Sequence, residues 1–110
     1  MESLTPLLKN NKTFLYAIAD LSRDQRLHLL NTASRAQVLS VIEIILNVLA
    51  ENLKIKDKTL GLMQRYKSKL RDLTENQDWQ KRRSSLVKLS KIVANILADV
   101  LNGIYQDPNK

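Results

Sequence analysis

The chain is expected to fold as an all-α, compact four- or five-helix bundle around a central apolar helix, and three observations lead there. Only two Gly and two Pro punctuate 110 residues, too few for the frequent turns of a sheet protein. Apolar residues recur at three- and four-residue spacing, the period of one helix face, through most of the sequence. A Ser followed three residues later by Gln, a helix-start signature, heads two of those runs. At 44% apolar residues, the length suits one helical domain over 1–110 that buries roughly 65% of its unfolded surface. A short polar tail is expected from about residue 104.

The first helix opens with Thr5 as N-cap and Pro6 at its first position, where a missing N–H costs nothing. It carries Leu7, Leu8, Leu15 and Ile18 inward, with Asn10 and Asn11 as an interruption. Ser22 and Gln25 form a capping box for a short second helix with Leu27 and Leu30 on its apolar side. Ser34 and Gln37 repeat the box, and the following run to Leu53 is apolar round nearly its whole circumference. Only Gln37, Ser40, Glu43, Asn47 and Glu51 form a polar stripe there, so this is read as the central helix. After a break at Asn52 to Lys56, Asp57 is the expected N-cap of a fourth helix with Leu60, Met63, Tyr66, Leu70 and Leu73 inward. A last helix, capped by Asn76 or Asp78, runs to about Asn102 with Gly103 at C′ and Leu86, Leu89, Val93, Ile96 and Val100 as its seam. Unbroken, it would be about 36 Å long, so a kink is expected near Ser84 and Ser85.

Charge is distributed far less evenly than the apolar residues. Twelve of the eighteen Lys and Arg lie between Lys54 and Lys91, against four acids, which leaves that window near +8 and the remainder near −1. Solubility needs no such concentration, so an anionic partner on one face is implied. Arg65 stands one turn from Lys69, and Lys67 one turn from Arg71, like-charged pairs that cost a few tenths of a kcal/mol each in an isolated helix. Lys81, Arg82 and Arg83 stand at the start of the last helix, where the macrodipole disfavours cations by about 0.3–1 kcal/mol. With Arg71 they are expected to form one patch. The candidate nucleic-acid-binding set is Lys58, Arg65, Lys67, Lys69, Arg71, Lys81, Arg82, Arg83, Lys88 and Lys91. Trp79 beside it is the candidate for base stacking, against the commoner role of a lone Trp as a staple onto the core. Phosphate contacts position a protein without reading sequence, so DNA and RNA backbone remain alternatives.

The chain offers little for chemistry. It has no Cys and one His, His28, on the polar side of the second helix, which leaves no metal set or nucleophile triad and fits a reducing compartment. Glu43 inside the most apolar helix is read as structural, accepting from Asn47, a capping group or an Arg across the bundle. No Gly-rich phosphate loop occurs. No catalytic residue, cofactor, metal or small-molecule substrate is expected, and neither is a transmembrane segment, since Ser40, Glu43 and Asn47 interrupt the most apolar stretch. A soluble intracellular protein, in the nucleus or a virion, is the expectation.

The string QRLHLLNTASRAQVLSVIEIILNVLAENL, followed by KDKTLGLMQRYKSKLRDL and WQKRRSSLV, resembles small basic proteins of Maverick/Polinton-type elements and adintovirus-like DNA viruses of animals. The matching features are QR before a Leu-Leu pair, TAS, the Glu43 and Asn47 spacing, the Tyr66-Lys67 step ahead of Leu70-Arg71, and the basic cluster leading into Leu86. They cover most of Leu21 to Val87. The resemblance implies a virion-associated, genome-condensing core protein. Members pass from the basic cluster into a Gly-Gly-containing apolar segment that is absent here, so the resemblance does not cover the last helix. The residues themselves support non-enzymatic, sequence-independent nucleic-acid binding, with a helical interaction module or a homo-oligomer paired through the last helix as the alternative. An anionic membrane surface ranks below both, because the basic residues lack an apolar side free of core duty.

Overall fold

The computed structural model describes residues 5–105, and over them the chain is all-helical. The helices are α1 (Pro6–Asn10), α2 (Lys12–Asp20), α3 (Arg23–Asn31), α4 (Arg35–Leu49), α5 (Asp57–Glu75), α6 (Trp79–Lys88) and α7 (Ser90–Tyr105). The expected four or five helices become seven segments because two of them are broken, one at Asn11 and one at Leu89.

Local chemistry sets most of the boundaries. Thr5 caps α1, accepting from the Leu8 N–H at 3.2 Å, with Pro6 first in the helix. Asn11 ends α1 by folding its side-chain amide onto the Leu7 carbonyl at 2.8 Å. Ser22 and Ser34 each form the reciprocal capping box with Gln25 and Gln37, satisfying two orphan donors apiece. Lys56, not Asp57, is the N-cap of α5; Asp57 stands one residue in, where its charge still suits the dipole. The Lys56 N–H donates to the Asp99 carboxylate on α7 at 3.0 Å, fastening the start of α5 to the last helix. Asp78 caps α6, accepting from Gln80 and Lys81, while Asn76 accepts from the Asp78 N–H and closes the turn before it.

The core is built on α4 and α7, each of which packs against five other segments. The broadest pairing is α2 on α7, and α3 meets α4 at a bend of 116°. Val41, Ile44 and Ile45 of α4 and Val93, Ile96 and Leu97 of α7 are wholly buried, so the seam offered for self-pairing lies inside the monomer. Ser40, expected in the polar stripe of α4, is also fully buried, its hydroxyl donating to the Gln37 carbonyl at 2.6 Å. Leu46 is instead 47% exposed on the Glu43 side. Glu43 takes the capping-group role: its carboxylate accepts from the Thr5 hydroxyl at 2.7 Å, so one Thr side chain both caps α1 and ties it to α4. Asn47 bonds the Glu43 carbonyl, not its carboxylate.

Two further expectations need correction. The break in the last helix falls at Leu89, not at Ser84 and Ser85. A straight helix from 79 to 105 would run about 40 Å, more than the 38 Å longest extent of the molecule, so it bends where Leu86, Leu89 and Ile92 can all reach the core. Gly103 is not a left-handed C′ residue, since α7 continues through it to Tyr105 and neither glycine has positive φ. The tail beyond lies outside the described residues. The left-handed position is Glu51, at φ 62°, where α4 ends in a Schellman motif: the Asn52 N–H bonds the Asn47 carbonyl at 2.8 Å and the Glu51 N–H bonds Val48 at 3.0 Å. No single helix among the described residues is long and apolar enough to cross a membrane.

Two stability changes follow from these contacts. Glu51→Gly relieves a left-handed non-glycine residue and is expected to raise unfolding free energy by about 0.5–1 kcal/mol in urea denaturation. Thr5→Val removes a cap and the hydrogen bond to the Glu43 carboxylate, and is expected to cost about 1–2 kcal/mol in the same assay.

Candidate nucleic-acid interface

The basic residues of α5 occupy two narrow strips, and the reason is geometric. At about 100° per residue, Thr59, Met63, Leu70, Leu73 and Thr74 fall on one side of the helix, and all five are buried. Opposite them, on the outer ridge, fall Asp57, Gly61, Gln64, Ser68, Asp72 and Glu75, all exposed and carrying every acid of the helix. The cations are left the two flanks. Lys58, Arg65 and Lys69 line one edge of the buried strip, and Lys67 and Arg71 line the other.

Each flank opens on a groove. The first lies between α5 and the α6–α7 bend and contains Arg65, Lys69, Lys88 and Lys91, with Asp72 as its one acid. Its net charge is +3. The second lies between α5 and the end of α4 and sets Lys67 and Arg71 against Glu51, a net +1. Phosphate is therefore drawn more strongly to the first. Tyr66, expected in the core, is 37% exposed in that groove. Its register is inward, between Met63 and Leu70, but it is left partly exposed where the chain across from it breaks at Leu89. Leu60, also expected inward, is 45% exposed on the other flank.

Lys58, Arg65, Lys67, Lys69, Arg71, Lys81, Lys88 and Lys91 are exposed, and none of their side chains makes a hydrogen bond or ion pair among the described residues. The acids of the α5 ridge do not neutralise them. An ion pair between described residues, Arg23 with Asp24 at 3.7 Å, is on α3 and exposed.

Arg82 and Arg83 behave differently from the other eight. Arg82 is half-buried and donates from Nη2 to the Thr74 carbonyl at 2.7 Å, while its Nε is buried without an acceptor. Arg83 donates from Nη1 to the Ala33 carbonyl at 3.1 Å, and its Cζ stands 5.1 Å from the centre of the Trp79 ring. The Arg82 guanidinium thus sits against a carbonyl at the negative end of α5, which offsets the cost of a cation near the start of α6, while Arg83 bonds a carbonyl of the α3–α4 connection. They hold α6 to its neighbours, and Arg83 reaches the α3–α4 corner instead of joining a patch with Arg71. Trp79 is half-buried against the core with Arg83 on one face, which is the staple arrangement. Of the Lys81 to Arg83 run, only Lys81 points freely to solvent.

Tyr66 is the site residue that the sequence reading passed over. Its signal was an aromatic at core register flanked on both sides by cations. His28 is exposed on α3, and no His/Asp/Glu group suited to a metal occurs among the described residues. No protein-family model, curated protein or solved structure matches the chain closely enough to assign a family or a function.

The two classes of basic residue separate in a denaturation experiment. Arg83→Gln loses a charged hydrogen bond and a cation–π contact and is expected to cost about 1–2 kcal/mol. Lys81→Gln, two residues away and exposed, is expected to stay within about 0.5 kcal/mol of the parent chain.

Proposed function

We propose that the protein binds nucleic acid non-enzymatically, through the phosphate backbone and without reading base sequence. The observation that carries this reading is the set of eight exposed cations without a protein partner, concentrated on the flanks of α5 and the adjoining parts of α6 and α7. Unpaired like charges at one-turn spacing cost stability in the free protein, and a polyanion reverses the sign of that term by releasing its own counterions. On the strength of the Leu21 to Val87 resemblance alone, we read the setting as genome condensation in a virion core. The alternative of an oligomerising scaffold loses its main support with the apolar seam of α7 already buried against α2 and α4.

A salt titration of binding to duplex DNA, single-stranded DNA and RNA tests the proposal. About five phosphate contacts give a log–log slope near −4.5 on duplex, with dissociation constants of order 10⁻⁴ to 10⁻⁶ M at physiological salt. Replacing Arg65, Lys69, Lys88 and Lys91 together by Gln is expected to flatten the slope by about three units while leaving the circular dichroism spectrum unchanged. Binding that ignores salt, or a quadruple variant that keeps the parent slope, contradicts the proposal.

A further inference from the structure

The groove between α5 and the α6–α7 bend differs from a plain basic surface in having an aromatic side chain among its cations. Arg65 and Lys69 stand on one wall and Lys88 and Lys91 on the other, with Tyr66 exposed between them and Leu89 at the bend beneath. Tyr66 makes no hydrogen bond among the described residues, and it is the aromatic residue among those lining the groove, 37% exposed. Packed helices stand only about 8–10 Å apart axis to axis. A duplex, far wider than that, meets the rim alone, whereas a single strand can lay its backbone along the lysines and turn an unstacked base inward.

From this arrangement we infer that the groove is a single-strand site, in which a nucleobase stacks on Tyr66 while flanking phosphates meet Arg65 and Lys69 on one side and Lys88 and Lys91 on the other. The inference rests on the phosphate-binding reading above and deepens it by naming the strand form. Every base has a π-face, so the stack adds affinity without sequence preference. The net +3 of this groove against +1 on the α4 side selects it as the place where the strand lies. An acidic peptide satisfies the cations but supplies no flat ring for Tyr66.

Fluorescence anisotropy with a labelled oligothymidylate of roughly a dozen nucleotides, a duplex of equal length and a polyglutamate peptide tests the assignment at fixed salt. Tyr66→Ala is expected to weaken oligothymidylate binding about ten-fold, to leave duplex binding unchanged, and to keep the salt slope of the single strand, since no cation is lost. Tyr66→Phe retains the ring and is expected to bind like the parent. Equal loss on single strand and duplex, or no loss on either, overturns the site while leaving the phosphate-binding reading in place. Parent protein that binds neither nucleic acid overturns both. Polyglutamate binding as tight as oligothymidylate, and weakened alike by Tyr66→Ala, assigns the groove to an acidic protein and overturns the single-strand site.

Discussion

Burial of Met63, Leu70 and Leu73 fixes the rotation of α5 about its own axis, and that rotation decides where each of its cations points. Two polar contacts hold the helix at its ends: the Lys56 N–H on Asp99 of α7, and the Thr74 carbonyl under Arg82 of α6. Between them, the three buried apolar residues contribute on the order of 1.5–3 kcal/mol each. A turn of one residue, about 100°, would carry one basic strip into the core and the other onto the outer ridge. The cations are thus held beside grooves by the packing of residues that never meet a ligand.

The second consequence concerns how charge is divided. Basic residues at the start of α6 look alike in sequence, but the fold sorts them by reach. Arg82 bonds a carbonyl at the end of α5 and Arg83 one in the α3–α4 connection, which a planar fork with several donors does well. Lys81, with a point charge on a flexible stem, stays in water. Lysines supply six of the eight unpaired exposed cations of the candidate set. Their strong hydration and loose geometry suit contacts that slide along a backbone better than contacts that fix one register.

Legibility in the sequence followed the range of the interaction. Capping boxes at Ser22 and Ser34 and the cap at Thr5 join residues three apart, so they could be read directly and recur in the structure. The acceptors of Arg82 and Arg83 are main-chain carbonyls, eight and fifty residues away, and a carbonyl leaves no mark in side-chain identity. Periodicity placed Tyr66 on the inward register but could not say whether anything would cover it. That depended on where the last helix bends, and the bend is set by the size of the whole molecule. Glu51 in a left-handed conformation where Gly is usual was hidden for a related reason, because the helix end dictates the backbone angle whatever residue stands there. The basic window itself was legible, but not its division between the structural pair Arg82 and Arg83 and the exposed cations around them.

Lysine acetylation footprinting by mass spectrometry, with and without saturating single-stranded DNA, reads the binding face at the level of single side chains. Lys69, Lys88 and Lys91 in the α5–α7 groove are expected to be strongly protected and Lys58 partly so, while Lys9, exposed on α1, reacts as in the free protein. Uniform protection of Lys9 together with the groove lysines, or no protection of Lys69, Lys88 and Lys91 at saturation, would contradict the assignment of this face.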